Sequence, residues 1–444
     1  MAMMRPETEM KDSGVHWLGN VPKEWSVGKV KHEFYTTKTI VGDKVNDYER
    51  LALTLNGVIK RSKDAGDGLQ PEKFDGYQIL KEHELVFKLI DLANVSTSRV
   101  GLSPYTGIVS PAYIVLHHRK DMNPRYGEYY FLSMWMNEVF NHIGGDGVRS
   151  ALNAKDLLDI PYLKVSSDEQ QAIADYLDKT CSKIDEIIAE AKASIDEYKE
   201  MKQSVIFEAV TKGLDKNVEM KAVNLEYLDS CSMDWNILPV SILFDFFGGF
   251  AYKSDRFCEE TNNQVVRLGN VKDDELRLNS NPVYVSDEYA DDSSKAAIKV
   301  DDILFTMTGT RGKGDYFYTL IITEDDLKEK NLFLNQRVGC FRKAYHTVYM
   351  PYYNYLLKNP KIRERVFLYE TGTANQGNIG IENINRIRLY NPPMEVQKNI
   401  VRMLNQKCNT IDSLITEKES LINDLEAYKK SLIYEVVTGK RRVV

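Results

Sequence analysis

The sequence lacks the features that mark secreted, disulfide-bonded or membrane proteins. Its five cysteines are widely separated and have no paired spacing, which argues against both a disulfide framework and a zinc site. No apolar run approaches the roughly 18 residues of a membrane helix. Residues 1–6 lack the charged-then-apolar pattern of a signal peptide. We therefore expect a cytoplasmic protein that does not contact a membrane.

The chain also lacks the positive charge that most nucleic-acid-binding proteins carry. Its 58 lysines and arginines are outnumbered by 65 aspartates and glutamates, which gives a net charge of −7. Composition alone therefore gives no argument for DNA binding. The excess of acid is concentrated in residues 168–212, where about eleven acidic residues occur with about six basic ones. At 444 residues the chain is long enough for roughly two to four domains.

What the sequence does contain is an internal repeat. Residues 170–211 align with residues 397–438 without a gap and with about fifteen identities, where about two or three are expected by chance. A second similarity relates the apolar pattern after Trp25 to that after Trp235. About 17 additional residues separate the tryptophan from the repeat in the second copy. The order is therefore variable domain, helix, variable domain, helix.

Both repeats have the apolar spacing of a long coiled-coil helix, with steps that alternate between four and three. At about 1.5 Å per residue each would extend some 60 Å, which is long for packing on one domain only. Packing on its own domain is the alternative for either helix, but we expect the two helices to pack against each other. The predicted seam consists of Leu177, Ile184, Ile188, Ile195, Leu404, Ile411, Ile415 and Ile422.

The regions between the repeats have the pattern of mixed α/β domains. Short alternating strands (113–116, 303–305, 318–322) are separated by glycine-rich turns and followed by helix-like stretches at 129–140 and 352–367. The predicted segments are an N-terminal segment 1–16, a first variable domain 17–158, a first repeat-helix region 159–213, a linker 214–224, a second variable domain 225–386 and a second repeat-helix region 387–440.

This organisation resembles the specificity subunits of type I restriction-modification systems, and the resemblance covers nearly the whole chain. It is carried by the order and spacing of several segments together. These are the domain starts at Trp25 and Trp235, the segments 84–91, 302–313 and 334–339, and the helix starts at 166–170 and 392–397.

The resemblance implies an α+β fold. Two mixed α/β target-recognition domains would alternate with two long helices that pair as an antiparallel coiled coil, as a tandem repeat with pseudo-two-fold symmetry. Each domain would read one half of an asymmetric, bipartite target in double-stranded DNA. The helices would set the spacing and dock two adenine-methyltransferase subunits, and restriction/translocase subunits would join them. The chain would have no catalytic residue, metal or cofactor of its own, because S-adenosylmethionine, ATP and magnesium would serve the partner subunits.

Candidate DNA contacts are cationic or amide residues in predicted loops. Arginine and glutamine can pair with base edges, whereas lysine more often contacts phosphate. An ordinary surface role stays open for each of them. The candidates are Lys60, Arg61, Lys63, Arg99, Arg149, Lys253, Arg256, Arg311, Lys313, Gln336, Arg337 and Gln376.

Two motifs resemble catalytic sites but are interpreted differently. Asn391-Pro-Pro-Met394 lacks the aromatic fourth residue of amino-methyltransferase sites, and we interpret it as the start of a helix. Residues 309–314 lack the spacing and the hydroxyl residue of a nucleotide-binding loop, so they predict a glycine turn that could also touch a DNA phosphate. A methyltransferase with a fused recognition region is disfavoured because no glycine-rich cofactor strand is recognisable. A structural coiled-coil protein with protein- or glycan-binding ends stays open as an alternative.

Two further clusters are interpreted as surface features. His117-His118 has no third ligand at metal spacing and predicts the exposed end of a strand. The acidic runs at 273–275 and 324–326 predict solvated loops, because a nuclease site would need a lysine and carboxylates in one strand context.

Overall fold

The computed structural model describes residues 3–55, 57–63, 73–90, 92, 99–143, 151–373 and 375–443, without the side chains of Arg99 and Asp229. It divides into two compact units, each of which contains one variable region and parts of both long helices. Unit 1 is Met1–Ala193 with Lys418–Val444, and unit 2 is Ser194–Glu417. Among the described helices none is long and apolar enough to cross a membrane.

Unit 1 is built on two four-stranded sheets. Its elements are β1 (Met3–Met4), β2 (Met10–Asp12), β3 (Asn20–Pro22), β4 (Ser26–Lys29), α1 (Val30–Glu33), β5 (Phe34–Tyr35), β6 (Arg50–Thr54), β7 (Gly57–Arg61), β8 (Gln78–Leu80), β9 (Leu85–Lys88), β10 (Arg99–Leu102), β11 (Gly107–Val109), β12 (Ile114–His118), α2 (Pro124–Met136), α3 (Val139–Ile143), α4 (Ala154–Asp159), β13 (Pro161–Lys164) and the start of α5 (Ser167–Lys212). The sheet orders are β10-β9-β12-β5, fully antiparallel, and β7-β6-β11-β8, in which β6 and β11 are parallel.

Unit 2 has a four-stranded antiparallel sheet, β17-β25-β21-β23, and several smaller sheets. Its elements are β14 (Met220–Leu225), β15 (Leu228–Ser232), β16 (Asn236–Pro239), α6 (Val240–Leu243), β17 (Phe244–Gly248), β18 (Asn263–Val266), β19 (Val271–Lys272), β20 (Glu275–Leu276), α7 (Asp287–Asp292), β21 (Ile303–Thr306), β22 (Thr308–Gly309), β23 (Thr319–Ile321), β24 (Asn331–Leu334), β25 (Val338–Lys343), α8 (Met350–Leu357), α9 (Pro360–Phe367), β26 (Glu370–Thr373), β27 (Gln376–Ile379), α10 (Ile381–Asn385), β28 (Arg388–Asn391) and the first part of α11 (Met394–Val437). The predicted linker therefore includes most of a strand, since β14 pairs with β15.

The similarity after the two tryptophans reflects the same local structure in both units. After Trp25, β4 leads into the single turn α1 and pairs antiparallel with β13, the strand that precedes α5. After Trp235, β16 leads into α6 and pairs antiparallel with β28, the strand that precedes α11. Both tryptophans are buried. In each unit the first strand after the tryptophan thus closes against the strand that leads into a long helix.

A buried glutamine fixes the first turn of each long helix. Gln170 Oε1 accepts the backbone N–H of Asn123 (2.9 Å), and its Nε2 donates to a carbonyl just before the helix (2.9 Å). Gln397 makes the same two bonds, with the N–H of Tyr349 (2.9 Å) and with a preceding carbonyl (2.8 Å). Asn123 and Tyr349 are the N-cap residues of α2 and α8. In each copy one side-chain amide therefore joins the repeat helix to the variable region. These two hydrogen bonds need a side chain that both donates and accepts, as the amide of glutamine does.

The two long helices pair within each unit. In unit 1 Lys429 Nζ lies 2.7 Å from an oxygen of Asp185, and in unit 2 Lys202 Nζ lies 2.7 Å from an oxygen of Asp412. The repeat aligns these two lysines and these two aspartates, so each ion pair joins one copy of the repeat to the other. In unit 2 the later residue Val210 of α5 shares a core cluster with an earlier part of α11, residues 400–404. The antiparallel coiled-coil pairing predicted for the fold is confirmed.

The predicted seam forms the buried side of these helices. Seven of its eight residues are between 0% and 8% exposed, and Ile415 is partly exposed. Burial of each such aliphatic side chain contributes about 1.5–3 kcal/mol. Helix α5 has 46 residues and α11 has 44, which corresponds to about 65–70 Å.

The end of each long helix is held by a tyrosine of the variable region in the same unit. Tyr126 of α2 donates to the carbonyl of Val437 (3.4 Å), and Tyr352 of α8 donates to the carbonyl of Val210 (2.9 Å). The repeat aligns Val210 with Val437. The variable region of each unit thus holds the first turn of one repeat helix and the last turn of the other.

The basic residues after α11 form a strand. Gly439 has φ +72°, a left-handed conformation that ends helices and favours glycine. The following strand β29 (Arg441–Arg442) belongs to unit 1 and pairs with β1. Arg442 is paired with Glu9 (2.6 Å) and Arg441 with Glu435 (2.7 Å).

Candidate nucleic-acid interface

In unit 2, strand pairing places several loops side by side. Strand β21 ends at Thr306 opposite Val338, the first residue of β25. The next residue, Met307, donates its N–H to the carbonyl of Arg337 (3.1 Å). The segment after β17 lies against the same turn, because Gln336 donates its N–H to the carbonyl of Phe250 (3.0 Å).

A small sheet, β22-β27-β26, adds two more loops to this edge. Strand β22 follows Met307 directly and pairs with β27, whose first residue Gln376 directly follows the hairpin turn from β26. Arg311, in the loop after β22, donates from Nη1 to the carbonyl of Gly372 on β26 (3.1 Å). Segments 250–256, 307–313, 335–337 and 375–376 therefore meet at one edge of unit 2.

The seven candidate contacts of unit 2 are all exposed and lie on these four segments; they are Lys253, Arg256, Arg311, Lys313, Gln336, Arg337 and Gln376. Arg256 is held in place, since its guanidinium lies 3.6 Å from the ring centroid of Tyr289 and 3.5 Å from a carboxylate oxygen of Asp292. The edge combines arginines and glutamines, which suit base edges, with lysines, which suit phosphate.

Arg267 is a further candidate that the sequence did not reveal. It lines a polar cavity of about 420 Å³ together with Gln336 and Arg337. Its Nη2 donates to the carbonyl of Asn281 (2.5 Å), while its Nε is buried and has no hydrogen-bond partner in the described part of the chain. The sequence offered only a cation directly after a buried strand, which is a weak signal.

Residues 309–314 form a turn held by carboxylates. The Thr310 N–H donates to Asp315 Oδ1 (2.7 Å), and the Gly312 N–H donates to Glu370 Oε2 (3.0 Å). The hydrogen bond from the Thr310 side chain lowers the pKa of Asp315. In a phosphate-binding loop such backbone N–H groups would donate to the phosphate, but here they donate to these carboxylates. The segment is therefore a glycine turn that positions Arg311 and Lys313.

The packing of the 250–256 segment depends on Gly249, and we expect Gly249→Ala to disturb the interface. An added Cβ would lie 2.2 Å from the backbone carbonyl oxygen of Asn335, so the turn that carries Gln336 and Arg337 must move. We expect a loss of about 1–3 kcal/mol in the free energy of unfolding. The neighbouring Gly248 has nothing within 4 Å of such a Cβ, so Gly248→Ala is the matched control. Chemical denaturation of both variants measures the difference; equal stability would contradict the close approach.

In unit 1, three of the five candidate contacts are tied to other parts of the same chain. Lys60 Nζ lies 2.5 Å from a carboxylate oxygen of Glu49, which raises the pKa of Lys60, and Lys63 donates to the carbonyl of Val45 (2.6 Å). Arg61 also has an interaction partner. Arg149 and the side chain of Arg99 lie outside the described residues. Unit 1 therefore shows no cluster comparable to that of unit 2 within its described residues.

The prediction that His117 is a surface feature was wrong. His117 is the residue before the last one of β12, but its side chain is only 13% exposed and its Nδ1 lies 2.6 Å from Glu84 Oε1. The hydrogen bond with Glu84 raises the pKa of His117 above its usual 6.5, although burial opposes this. Burial would raise the pKa of Glu84, but the hydrogen bonds from His117 and from the Lys81 backbone lower it below 4.5.

This pair should make the stability of unit 1 depend on pH. Because its pKa is raised in the folded state, His117 contributes fully to the free energy of unfolding below about pH 6.5. This contribution is lost as the pH rises through the folded-state pKa. Because its pKa is lowered in the folded state, Glu84 contributes to the free energy of unfolding above about pH 4.5. This contribution is lost as the pH falls through the folded-state pKa. We expect His117→Gln to cost about 1–2 kcal/mol near pH 5.5 and less at pH 8.5. Thermal unfolding across this range measures it, with His118→Gln as control; a pH-independent difference would exclude the ion pair.

The acidic runs are only partly solvated. Asp274 accepts the backbone N–H of Thr319 (2.9 Å) and lies 3.6 Å from Lys358 Nζ, so it joins a turn to a strand and a helix. Asp326 accepts the N–H of Thr323 (2.8 Å) within its own loop.

Asn391 is the last residue of β28, just before α11, as expected if its motif is the start of a helix. Its buried side chain accepts a hydrogen bond from the Tyr353 hydroxyl (2.8 Å).

Comparison with known proteins shows which family the chain resembles. Residues 233–424 match the family model of the type I restriction modification DNA specificity domain. The type I restriction enzyme MjaVIII specificity subunit of Methanocaldococcus jannaschii is 23% identical over 276 residues, which cover 62% of this chain and 61% of that protein. The match thus spans about three fifths of that relative.

Two solved structures have a similar fold over nearly the full length. One, from work on complex assembly and conformational transition of the type I R-M system, has a TM-score of 0.70 and 11% identity and covers 95% of this chain and 99% of that one. The other, the HsdS subunit from Thermoanaerobacter tengcongensis, has a TM-score of 0.50 and 12% identity and covers 95% and 98%. The resemblance to specificity subunits inferred from the sequence is confirmed.

Proposed function

From its similarity to type I restriction-modification specificity subunits, we propose that this chain selects DNA sequence for partner enzymes and performs no chemistry itself. The observation that carries the proposal is the edge of unit 2, where four loops present exposed arginines, glutamines and lysines together. Such a surface suits base edges and phosphates at once. The matching family domain covers the same loops.

The target is proposed to be bipartite and asymmetric. Each variable region would read one half of a double-stranded target. The two regions differ in sheet order and in the placement of their cations. Lys60 and Arg61 lie on strand β7 of unit 1, whereas Arg311 and Lys313 lie in the loop after β22 of unit 2. Different surfaces read different bases, so the two halves should differ.

The helix pair is proposed to fix the spacing and to dock the partners. A separation of roughly 10–15 base pairs corresponds to about 35–50 Å, within the length of either helix. The partners would be two adenine-methyltransferase subunits, joined by restriction/translocase subunits. S-adenosylmethionine, ATP and magnesium would act in these partners. The acidic excess of α5 suits a surface that faces protein rather than DNA.

Co-expression with an adenine-methyltransferase subunit of a type I system, the proposed partner, tests the proposal. We expect the two proteins to co-purify and to methylate adenine only together. The double variant Gln336→Ala/Arg337→Ala should keep the methyltransferase but lose methylation, because each base contact contributes about 1–3 kcal/mol of discrimination. Lys328→Ala, an exposed cation away from the four loops, is the control. Failure to co-purify, together with methylation that is independent of this chain, would refute the proposal.

A further inference from the structure

A cavity of about 510 Å³ in unit 2 lies between α8, α11 and the end of β23. Five of its polar side chains carry a hydrogen-bond acceptor: the exposed carboxylates Asp301 and Glu324, the amides Asn354 and Asn405, and the Tyr355 hydroxyl. The Oδ1 of Asn354 is buried and has no hydrogen-bond partner among the described residues. An unpaired buried acceptor is unfavourable, so this site favours a ligand that donates a hydrogen bond.

The corresponding place in unit 1 can be located from equivalent contacts. Tyr129 donates to Asp178 (2.7 Å) in unit 1, and Tyr355 donates to Asn405 (2.8 Å) in unit 2. The repeat aligns Asp178 with Asn405. Four residues before each tyrosine, α2 has Arg125 and α8 has Pro351.

In unit 1 this place is filled by the guanidinium group of Arg125. Its Nε donates to Asp178 (2.6 Å), its Nη1 donates to Glu128, and its Nη2 donates to the Tyr129 hydroxyl (3.3 Å). The guanidinium carbon lies 4.8 Å from the ring centroid of Tyr129. Unit 1 thus has a complete guanidinium site formed by an aromatic ring and two carboxylates.

Unit 2 keeps the ring and the acceptors but not the arginine. Pro351, Asn354 and Asn405 stand where unit 1 has Arg125, Glu128 and Asp178. The amides remain acceptors, and Asp301 and Glu324 supply negative charge at the rim. A guanidinium group offers five N–H donors and a positive charge, which matches a site lined by acceptors.

We propose that this cavity receives an arginine side chain from the methyltransferase subunit. The inference rests on the proposed function, which assigns docking of that subunit to the long helices, and Asn405 lies on α11. DNA does not suit the site because its phosphates would face Asp301 and Glu324. The methyltransferase arginine would take the place that Arg125 takes within unit 1.

The test introduces an arginine of this chain into the cavity by substitution. The variant Pro351→Arg/Asn354→Glu/Asn405→Asp gives unit 2 the residues of unit 1, whereas Pro351→Ala leaves the cavity open and is the matched control. Isothermal titration of the full chain with the methyltransferase should show affinity about tenfold lower for the filled variant, as expected for loss of a charged hydrogen-bond group. The control should bind like the wild type. Equal affinity of the filled variant, verified as folded by its thermal unfolding, would overturn the proposal.

A second arm separates this site from the proposed function. Saturation-transfer NMR with the peptide acetyl-Gly-Arg-Gly-amide should detect binding to the wild-type chain and to Pro351→Ala, and not to the filled variant. The lysine analogue should bind more weakly, because it lacks the planar fork of donors. Peptide binding that is unaffected by filling, or equal for arginine and lysine, would overturn the site. Wild-type chain that binds the peptide but no methyltransferase would instead contradict the proposed function and the assigned source of the arginine.

Discussion

Exchange of residues 17–158 for the corresponding domain of another specificity subunit is expected to change one half of the methylated DNA sequence and to leave the other half unchanged. The described candidate contacts of unit 2 all come from residues 253–376, outside the exchanged segment. The exchanged segment ends one residue before the end of α4, and Gln170 and β13 lie after it and are kept. Loss of the native contacts on one half changes recognition by about 1–3 kcal/mol per base pair.

Sequencing of methylated adenines in cells that express the exchanged chain with its methyltransferase measures this result. The reciprocal exchange of residues 235–386 is the control, and it should change only the other half. A change in both halves after either exchange, in a protein that still binds the methyltransferase, would show that the two domains do not read DNA separately.

The second large effect is expected from charge in the seam. Leu404 is fully buried in unit 2, and Leu177, which the repeat aligns with it, is fully buried in unit 1. Substitution of either by aspartate places a carboxylate among apolar side chains without a partner, and we expect each to cost more than about 4 kcal/mol. Leu421→Asp on the same helix α11 is the control, because Leu421 is 39% exposed and its substitution should cost about 0.5 kcal/mol or less.

Denaturant unfolding followed by circular dichroism measures these three variants. The two seam variants should lose much of their helical signal or unfold at much lower denaturant. If Leu177→Asp and Leu404→Asp resembled Leu421→Asp in stability, the seam would not be the structural core of the helix pair.

The repeat made the scaffold predictable from sequence. Identities such as Gln170/Gln397 and Asp185/Asp412 are positions where both copies make the same contact, so selection for one structure left a pattern visible within one chain. Periodicity in the helices follows from their geometry and needs no knowledge of partners. The fold class could therefore be predicted from the sequence.

The details of the variable regions could not be predicted, because they depend on residues far apart in the chain. The pairing of His117 with Glu84 and the contact of Asp274 with Thr319 link segments that no local pattern connects. Arg267 becomes a candidate only when its strand brings it to Gln336. The Arg125 site and its counterpart at Pro351 lie outside the gapless repeat, and only matching tyrosine contacts align them.

The most direct test of the central claim, that two different domains of one chain read two halves of one DNA target, is to sequence the methylated adenines made by the wild-type chain with its methyltransferase. We predict a motif of two unlike specific halves separated by a fixed non-specific gap. A perfect palindrome, or a single continuous motif without a gap, would contradict the account.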